Sequence, residues 1–295
     1  MDIVTHAMIG VIIGLPLTHT APVLSSGFIL GSVLPDVDAF SRLFGKYAFL
    51  KFHQTYTHSV PLILLSMCIV TAIMYFTFPL LTLFPVGIAA GMIGHAFLDL
   101  TNTYGIKILL PFSRKRLCYE WMFFVDTPAV ILCGGYFFFI ASKLHTASPI
   151  PTSTSYTFCI ILAMVCFVRC YMRNMAQRIA PQNTLSLIPS ALKPWLYFGS
   201  LYNVTHITTF KLSILSKTIF EEQQIAILDE KYPQITNCED FKTMQSLSPL
   251  YHVVEEKENV VVSRDLRIRN FNTNFGRLDI TLSEEKQIVK TFLNV

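Results

Sequence analysis

Long apolar runs fill the first 172 residues of this 295-residue chain, and charged residues become frequent only after residue 173. A helix that spans a membrane needs about 20 mostly apolar residues. Only 14% of the residues are charged, whereas soluble proteins carry roughly 25%. The sequence therefore predicts an integral membrane protein, with a membrane domain at residues 1–178 and a soluble domain at residues 185–295.

Six apolar segments of the membrane domain are candidates for membrane helices. Four of them are long enough, or nearly long enough, to span the bilayer, and they cover residues 60–78, 80–100, 127–142 and 157–172. Two shorter runs, residues 3–17 and 21–34, would form a helical hairpin that either crosses the bilayer or re-enters on the same side. The sequence thus predicts an α-helical membrane bundle of four to six segments.

The distribution of lysine and arginine predicts the orientation. These residues are concentrated in the loops 35–59 and 101–126 and just after the last segment, whereas the opposite loops contain only Lys143. Loops rich in Lys and Arg remain in the cytoplasm. We therefore expect the N-terminus and the C-terminal domain to be cytoplasmic.

The C-terminal domain has a different pattern. Residues 195–202, 206–215, 259–268 and 278–282 are rich in β-branched and aromatic residues, which favours short strands. Residues 239–247 are compatible with a helix. We expect a small β-rich or α+β domain. The net charge of +4 is too small to indicate a nucleic-acid partner.

Histidine and aspartate side chains lie inside or at the edges of the apolar segments, where ionisable groups are costly and often functional. They are His6, Asp36, Asp38, His53, His58, His95, Asp99 and Asp126. All of them fall on the predicted cytoplasmic side. His95 and Asp99 are spaced i, i+4, so they project from one face of a helix. Imidazole and carboxylate together suit zinc, manganese or iron.

Several of these residues also have a purely structural interpretation. His6 could be a core histidine that donates to a backbone carbonyl. Asp36 or Asp38 could cap a helix. Asp126 precedes Thr127-Pro128, which is typical of a helix start. The pair of His95 and Asp99 on an otherwise apolar helix is the hardest to explain without a function.

Short motifs occur along the chain in an order that resembles one protein family. They are Thr5-His6-Ala7, Pro35-Asp36-Val37-Asp38, Thr57-His58-Ser59, Gly94-His95 followed by Asp99, Gly105, and Pro111-Phe112. Over roughly the first 130 residues the chain is similar to the YdjM-like family of bacterial inner-membrane, metal-dependent hydrolases. The resemblance implies an inner-membrane location, a membrane-embedded metal site and hydrolase activity.

The resemblance also implies which side chains bind the metal. These candidate ligands are His6, Asp36, Asp38, His58, His95 and Asp99, and His53 matches a further family histidine. The family commonly has an arginine after that histidine, where this chain has Gln54. Arg114 and Arg116 are candidates to replace it.

The number of candidate ligands favours one or two metal ions, with zinc preferred over manganese or iron. Asp126 or Asp38 would then act as a general base. Lys107, Arg114 and Arg116 follow the last ligands along the chain and could bind a phosphate, although such residues also serve as cytoplasmic anchors. We expect a membrane lipid or a lipid-linked phosphoester as the substrate.

Two other functions compete with hydrolysis. Histidines and carboxylates in a membrane are also typical of metal or proton-coupled transporters, but transport sites lie near the midplane and these residues cluster at one face. The chain could also be a non-catalytic scaffold whose C-terminal domain binds a partner. In that domain Asp265-Leu266-Arg267 resembles a family element, and we expect a structural ion pair between Asp265 and Arg267.

Overall fold

α-Helices make up most of the chain before the first strand in the computed structural model, which describes residues 2–268 and 274–294. They are α1 (Ile3–Gly14), α2 (Pro22–Gly31), α3 (Lys46–Phe52), α4 (Val60–Thr77), α5 (Leu83–Asp99), α6 (Thr127–His145) and α7 (Ser153–Ile179). A 3-10 segment, Leu34–Phe44, follows α2. The chain divides into two units, Met1–Tyr171 and Met172–Val295, and the division falls inside α7.

Five helical stretches of the described residues are long and apolar enough to cross a membrane. They are Pro22–Phe44, Val60–Thr77, Pro79–Asp99, Thr127–His145 and Ser153–Ile179. The N-terminal stretch Ile3–Leu17 is also apolar but shorter. This confirms the predicted α-helical membrane bundle, and we treat the chain as a multi-pass membrane protein.

Two of the segments extend by about ten residues beyond the apolar runs that predicted them. The run 21–34 stops where Pro35 and Asp36 interrupt it, but the chain continues as the 3-10 segment to Phe44. The run 157–172 is part of α7, which has 27 residues. Polar residues at both ends of α7 continue the helix without adding hydropathy, so hydropathy alone identifies only the middle of this helix.

α2 and α5 pack against each other through glycines. Gly27 and Gly31 of α2 lie opposite Gly87 and Gly91 of α5. A Cβ atom at Gly87 would lie 2.1 Å from a carbonyl oxygen of α2, and one at Gly91 would lie 2.4 Å from another. Glycines one helical turn apart allow two membrane helices to approach until their backbones are in contact. The close approach strengthens the van der Waals packing between them.

α1 packs against α2 in a similar way. A Cβ atom at Gly10 would lie 1.8 Å from Ser32 Oγ, and one at Gly14 would lie 2.4 Å from a side-chain carbon of Ile29. Asp2 starts α1, because its carboxylate accepts a hydrogen bond from the Thr5 backbone N–H at 3.0 Å. Three helices are thus joined by small residues.

Larger apolar side chains join α1 to α6 and α7. Ile9 and Ile12 of α1 share a buried cluster with Cys133 of α6 and Phe158 of α7. Ser155 of α7 donates a hydrogen bond to a carbonyl oxygen of α1 at 2.8 Å. Many apolar side chains on the outer faces of the helices are exposed, as expected of surfaces that contact lipid.

The second unit contains two antiparallel sheets of four strands each. The first has the order β1 (Thr184–Pro189), β2 (Leu196–Tyr202), β3 (His206–Ser213) and β4 (Thr218–Ala226). The second has the order β5 (Tyr251–Lys257), β6 (Val260–Asp265), β7 (Leu278–Leu282) and β8 (Ile288–Leu293). Two short helices, α8 (Pro233–Thr236) and α9 (Glu239–Gln245), lie between the sheets in sequence. The predicted β-rich domain is confirmed.

Half of the strands and one helix match the expected positions. The four predicted strands correspond to β2, β3, β6 and β7, and the predicted helix 239–247 corresponds to α9. β4 was not predicted, because most of its residues are polar and exposed. The first four residues of β5 are all buried, so this strand shows no alternation.

We expect Gly91→Ala to destabilise the protein by about 1–3 kcal/mol, because the new Cβ would overlap backbone atoms of α2. Gly94→Ala is the matched control, since a Cβ at Gly94 meets nothing within 4 Å. Thermal unfolding of both variants in detergent would measure the difference. Equal unfolding temperatures would contradict the glycine contact between α2 and α5.

Candidate metal centre

Four ionisable side chains converge at one buried point of the N-terminal unit. Asp36 lies in the first turn of the 3-10 segment, His58 precedes α4, and His95 and Asp99 lie one turn apart on α5. One atom from each lies within 4.8 Å of the other three. Within residues 2–268 and 274–294, this is the one group of three or more His, Cys, Asp or Glu side chains that converges in this way. We call these residues the four-residue cluster.

The atoms of the four-residue cluster are spaced like ligands of a shared ion. His58 Nε2 lies 3.4 Å from Asp99 Oδ2 and 3.8 Å from Asp36 Oδ1. His95 Nε2 lies 3.5 Å from Asp36 Oδ1 and 3.6 Å from Asp99 Oδ2. A tetrahedral ion with bonds of 2.0–2.1 Å separates its ligand atoms by roughly 3.3–3.4 Å. Neither histidine Nε2 atom forms a hydrogen bond with any described residue.

The second ring nitrogen of each histidine is held by a neighbouring group. His95 Nδ1 lies 2.8 Å from the Ser32 carbonyl oxygen, which can only accept, so Nδ1 carries the proton. His58 Nδ1 lies 3.0 Å from Thr57 Oγ1 and 3.4 Å from Asp38 Oδ2. In the neutral, metal-binding form of each histidine the proton is on Nδ1, so the Nε2 lone pair would be directed at the centre of the cluster. This is the usual arrangement of a metal-binding histidine.

Asp38 lies beside the four-residue cluster and orients its neighbours. Its Oδ1 atom lies 2.6 Å from His53 Nδ1. Its Oδ2 atom accepts hydrogen bonds from the Gln54 backbone N–H at 2.9 Å and from the Thr57 hydroxyl at 2.6 Å. These contacts occupy both carboxylate oxygens. Among the predicted ligands, Asp38 and His53 are therefore placed as supporting residues rather than at the point of convergence.

His6 of α1 also supports the cluster. Its Nε2 atom lies 3.1 Å from Asp99 Oδ1, which leaves Asp99 Oδ2 directed at the two cluster histidines. The ring of His6 stacks on that of His95 with 3.6 Å between the centroids. α1 therefore restrains two members of the cluster without supplying one of the converging atoms.

The charge of the site favours a cation. Among the described residues, Asp36 and Asp38 form ion pairs with histidines and with no lysine or arginine. Burial lowers the pKa of His58, but the carboxylates of Asp38 and Asp99 more than offset this effect and leave the pKa raised. A histidine that binds a metal is neutral, so it would not balance the buried carboxylates. A divalent ion would do so.

Asp126 has a different environment. It caps α6 by accepting a hydrogen bond from the Ala129 backbone N–H at 3.3 Å, which confirms the helix-start interpretation. Its other carboxylate oxygen is paired with Arg169 of α7, and both side chains are buried. Burial raises the pKa of Asp126, and Arg169 opposes this shift. These contacts join α6 to α7 and lend no support to Asp126 as a general base.

The basic loop 101–126 reaches the segment around His53. Arg116 donates to the Gly105 carbonyl at 2.8 Å and to the His53 carbonyl at 3.3 Å. It also lies 3.5 Å from Gln54 Oε1, so its guanidinium occupies space beside residue 54. Lys107 is half-buried, and burial together with Arg116 and Arg114 lowers its pKa. The positive charge of this loop therefore lies close to the segment that carries His53.

Comparison with known proteins identifies the family of this chain. The family model described as YdjM inner membrane protein matches residues 1–176. The chain belongs to this family. The YdjM match covers every residue discussed for the cluster, and it confirms the family inferred from the sequence motifs.

One curated relative is the protein from Bacillus subtilis (strain 168) described as uncharacterized protein YfhP. The two are 28% identical over 126 residues, which is 39% of this chain and 38% of the relative. The chain thus matches well under half the length of that protein. No solved structure matches the chain.

The network includes groups that the sequence analysis did not single out. Thr57 bridges Asp38 and His58, and its place in the Thr57-His58-Ser59 motif was the available signal. The Ser32 carbonyl oxygen accepts a hydrogen bond from His95 Nδ1, and a backbone acceptor cannot be recognised from the sequence. In the second unit, the expected ion pair between Asp265 and Arg267 is confirmed at 2.9 Å.

We expect Asp36→Asn and Asp38→Asn to affect zinc binding differently. Asp38→Asn should weaken affinity by roughly 10–100-fold while one equivalent still binds, because a supporting residue is lost. Asp36→Asn should reduce affinity further, because one of the converging oxygens is lost. Competition with a chromophoric chelator would measure both, with the exposed His145→Ala as the control. The opposite ranking would contradict the assignment of ligand and supporting residue.

Proposed function

We propose that this chain is a membrane-embedded, metal-dependent hydrolase that acts on a lipid or lipid-linked phosphoester. The convergence of Asp36, His58, His95 and Asp99 carries the proposal. Two imidazole nitrogens and two carboxylate oxygens suit zinc, and they also suit manganese or iron. Asp38 and His53 are hydrogen-bonded to each other, so these two groups are not free to hold a second ion. The described residues therefore fit one ion better than two.

Access to the ion would be on the side of Asp36. Its side chain is 10% exposed, whereas those of His58 and His95 are fully buried. A catalytic zinc keeps a position for water or substrate and can expand to five ligands. A metal in the cluster would supply polarisation of a phosphoester oxygen and a lowered pKa of bound water.

His53 is the residue best placed to move a proton. Asp38 holds His53 Nδ1 at 2.6 Å, and the His53 side chain is 25% exposed. Its ring centroid lies 6.3 Å from that of His58. A histidine oriented by a carboxylate is a common general acid or base. We therefore propose His53 for proton transfer and Asp38 for positioning, rather than Asp126 or Asp38 as the general base.

The basic loop supports an anionic substrate. Burial, the charge of Arg116 and the charge of the exposed Arg114 together lower the pKa of Lys107, so these basic groups act on one region of the loop. Lys107 and Arg114 are available to bind a phosphate, whereas Arg116 donates to backbone carbonyls and holds the His53 segment in place. Because the cluster is built from membrane segments, a phosphoester carried by a lipid is the substrate class that reaches it most directly.

We expect the protein in lipid nanodiscs with zinc to release product from a panel of phosphoesters that includes phosphatidic acid and short-chain phospholipids. His95→Ala should abolish release, because it removes one of the converging nitrogens. His145→Ala should leave it unchanged, because His145 is exposed on α6. A chelator should abolish release and added zinc should restore it.

Two results would contradict the proposal. Release that survives both His95→Ala and the chelator would show that the four-residue cluster is not the active site. Bound metal without release from any phosphoester of the panel would favour a structural metal. Four protein ligands around one ion are also the pattern of structural zinc sites, which makes this the second candidate function.

We also propose that the protein lies in a bacterial inner membrane with the four-residue cluster and both termini toward the cytoplasm. The distribution of Lys and Arg supports this orientation. In a background that lacks the seven native cysteines, a membrane-impermeant maleimide should label Thr146→Cys in spheroplasts. It should label Lys115→Cys only after permeabilisation. The reverse labelling would overturn the orientation.

A further inference from the structure

The end of the 3-10 segment, α3 and the turn that follows α3 expose large apolar side chains. We call residues 40–56 the interfacial segment. Its most exposed large apolar side chains are Phe40, Leu43, Phe44, Phe52 and Tyr56. Phe44 is 87% exposed and Leu43 is 82% exposed. Such a concentration of exposed apolar surface marks a contact with another molecule or with a membrane.

The interfacial segment is also basic. It contains Arg42, Lys46 and Lys51, and the sequence has no aspartate or glutamate between residues 39 and 98. The Lys46 Nζ atom lies 5.0 Å from the ring centroid of Tyr47, and the Lys51 Nζ atom lies 5.9 Å from that of Phe52. The Arg42 guanidinium lies 5.9 Å from the ring centroid of Phe49. Positive charges and aromatic rings therefore alternate along one short stretch.

This combination is typical of a helix that lies in the membrane surface. α3 has seven residues, so at 1.5 Å per residue it is about 10 Å long and cannot cross a bilayer. It follows a stretch that is apolar enough to cross a membrane and precedes the next one. Aromatic rings enter the boundary between headgroups and acyl chains, and Lys and Arg contact anionic headgroups.

We propose that the interfacial segment binds the headgroups of anionic phospholipids. The absence of acidic residues, and the position of α3 between one membrane stretch and the next, favour a lipid surface over a protein partner. The segment itself contains His53, one of the supporting residues of the cluster. The ring of Phe49 stacks on His53 with 4.7 Å between centroids, and His53 is hydrogen-bonded to Asp38. Anionic lipid would therefore hold α3, and with it His53, at the depth of the phosphate groups.

Tryptophan fluorescence in nanodiscs tests this inference independently of any catalytic activity. The two native residues Trp121 and Trp195 are replaced by Phe, and one new tryptophan is introduced as Phe44→Trp. Phe40→Trp is a second probe of the same segment. Phe138→Trp is the matched control, because Phe138 is also largely exposed but lies in the middle of α6. Each variant is measured with phosphatidylcholine alone and with added phosphatidylglycerol.

We expect lipids brominated near the headgroup to quench Phe44→Trp more strongly than lipids brominated near the chain ends. Phosphatidylglycerol should increase this quenching, and a triple Arg42→Gln, Lys46→Gln, Lys51→Gln variant should lose the increase. Phe138→Trp should respond to neither change. The inference is overturned if Phe44→Trp and Phe40→Trp are not quenched in any lipid, or are quenched most by deep bromine. It is also overturned if quenching is independent of phosphatidylglycerol and of the three charges.

Discussion

The backbone contact between α2 and α5 is the interaction on which the rest of the site depends. Glycines on both helices bring the two backbones together where any side chain would separate them. At this distance the Ser32 carbonyl, just after α2, reaches His95 Nδ1 on α5. The same contact places Asp36, at the start of the 3-10 segment, within 3.5 Å of His95 Nε2. A wider separation would remove the fixed tautomer of His95 and one of the four converging atoms together.

The second constraint is charge. Asp36, Asp38 and Asp99 are brought into a region of apolar helices, where an uncompensated carboxylate is costly. Asp38 is stabilised by a backbone N–H, a hydroxyl and His53, which explains why it can stand beside the cluster. Asp36 and Asp99 direct an oxygen at the cluster histidines instead. In this account metal binding is linked to the stability of the fold, because the ion balances charges that the fold has buried.

The sequence predicted the membrane bundle and the members of the site better than their roles. Apolar runs predicted the spanning helices. Ionisable side chains in or beside those runs, where burying a charge costs free energy, identified Asp36, His58, His95 and Asp99 as candidates. The division between converging and supporting residues could not be predicted from the sequence, because Asp36 and Asp38 lie in the same short motif and only the fold gives their side chains different partners. The glycine pairs occur at i, i+4 spacings in apolar helices, and this spacing is a sequence signal for close helix contact. The polar strand β4 gave no periodic pattern to detect.

The most direct test of the metal centre is X-ray absorption spectroscopy on the purified, zinc-loaded protein, combined with elemental analysis. We expect one zinc per chain with nitrogen and oxygen ligands at about 2.0–2.1 Å and a clear imidazole signature. The signal should disappear in a His58→Ala/His95→Ala variant, which lacks both converging nitrogens. Sulfur ligands at about 2.3 Å would place the metal on cysteines instead. Failure of the wild-type protein to retain zinc above the level of the variant would contradict the metal centre itself.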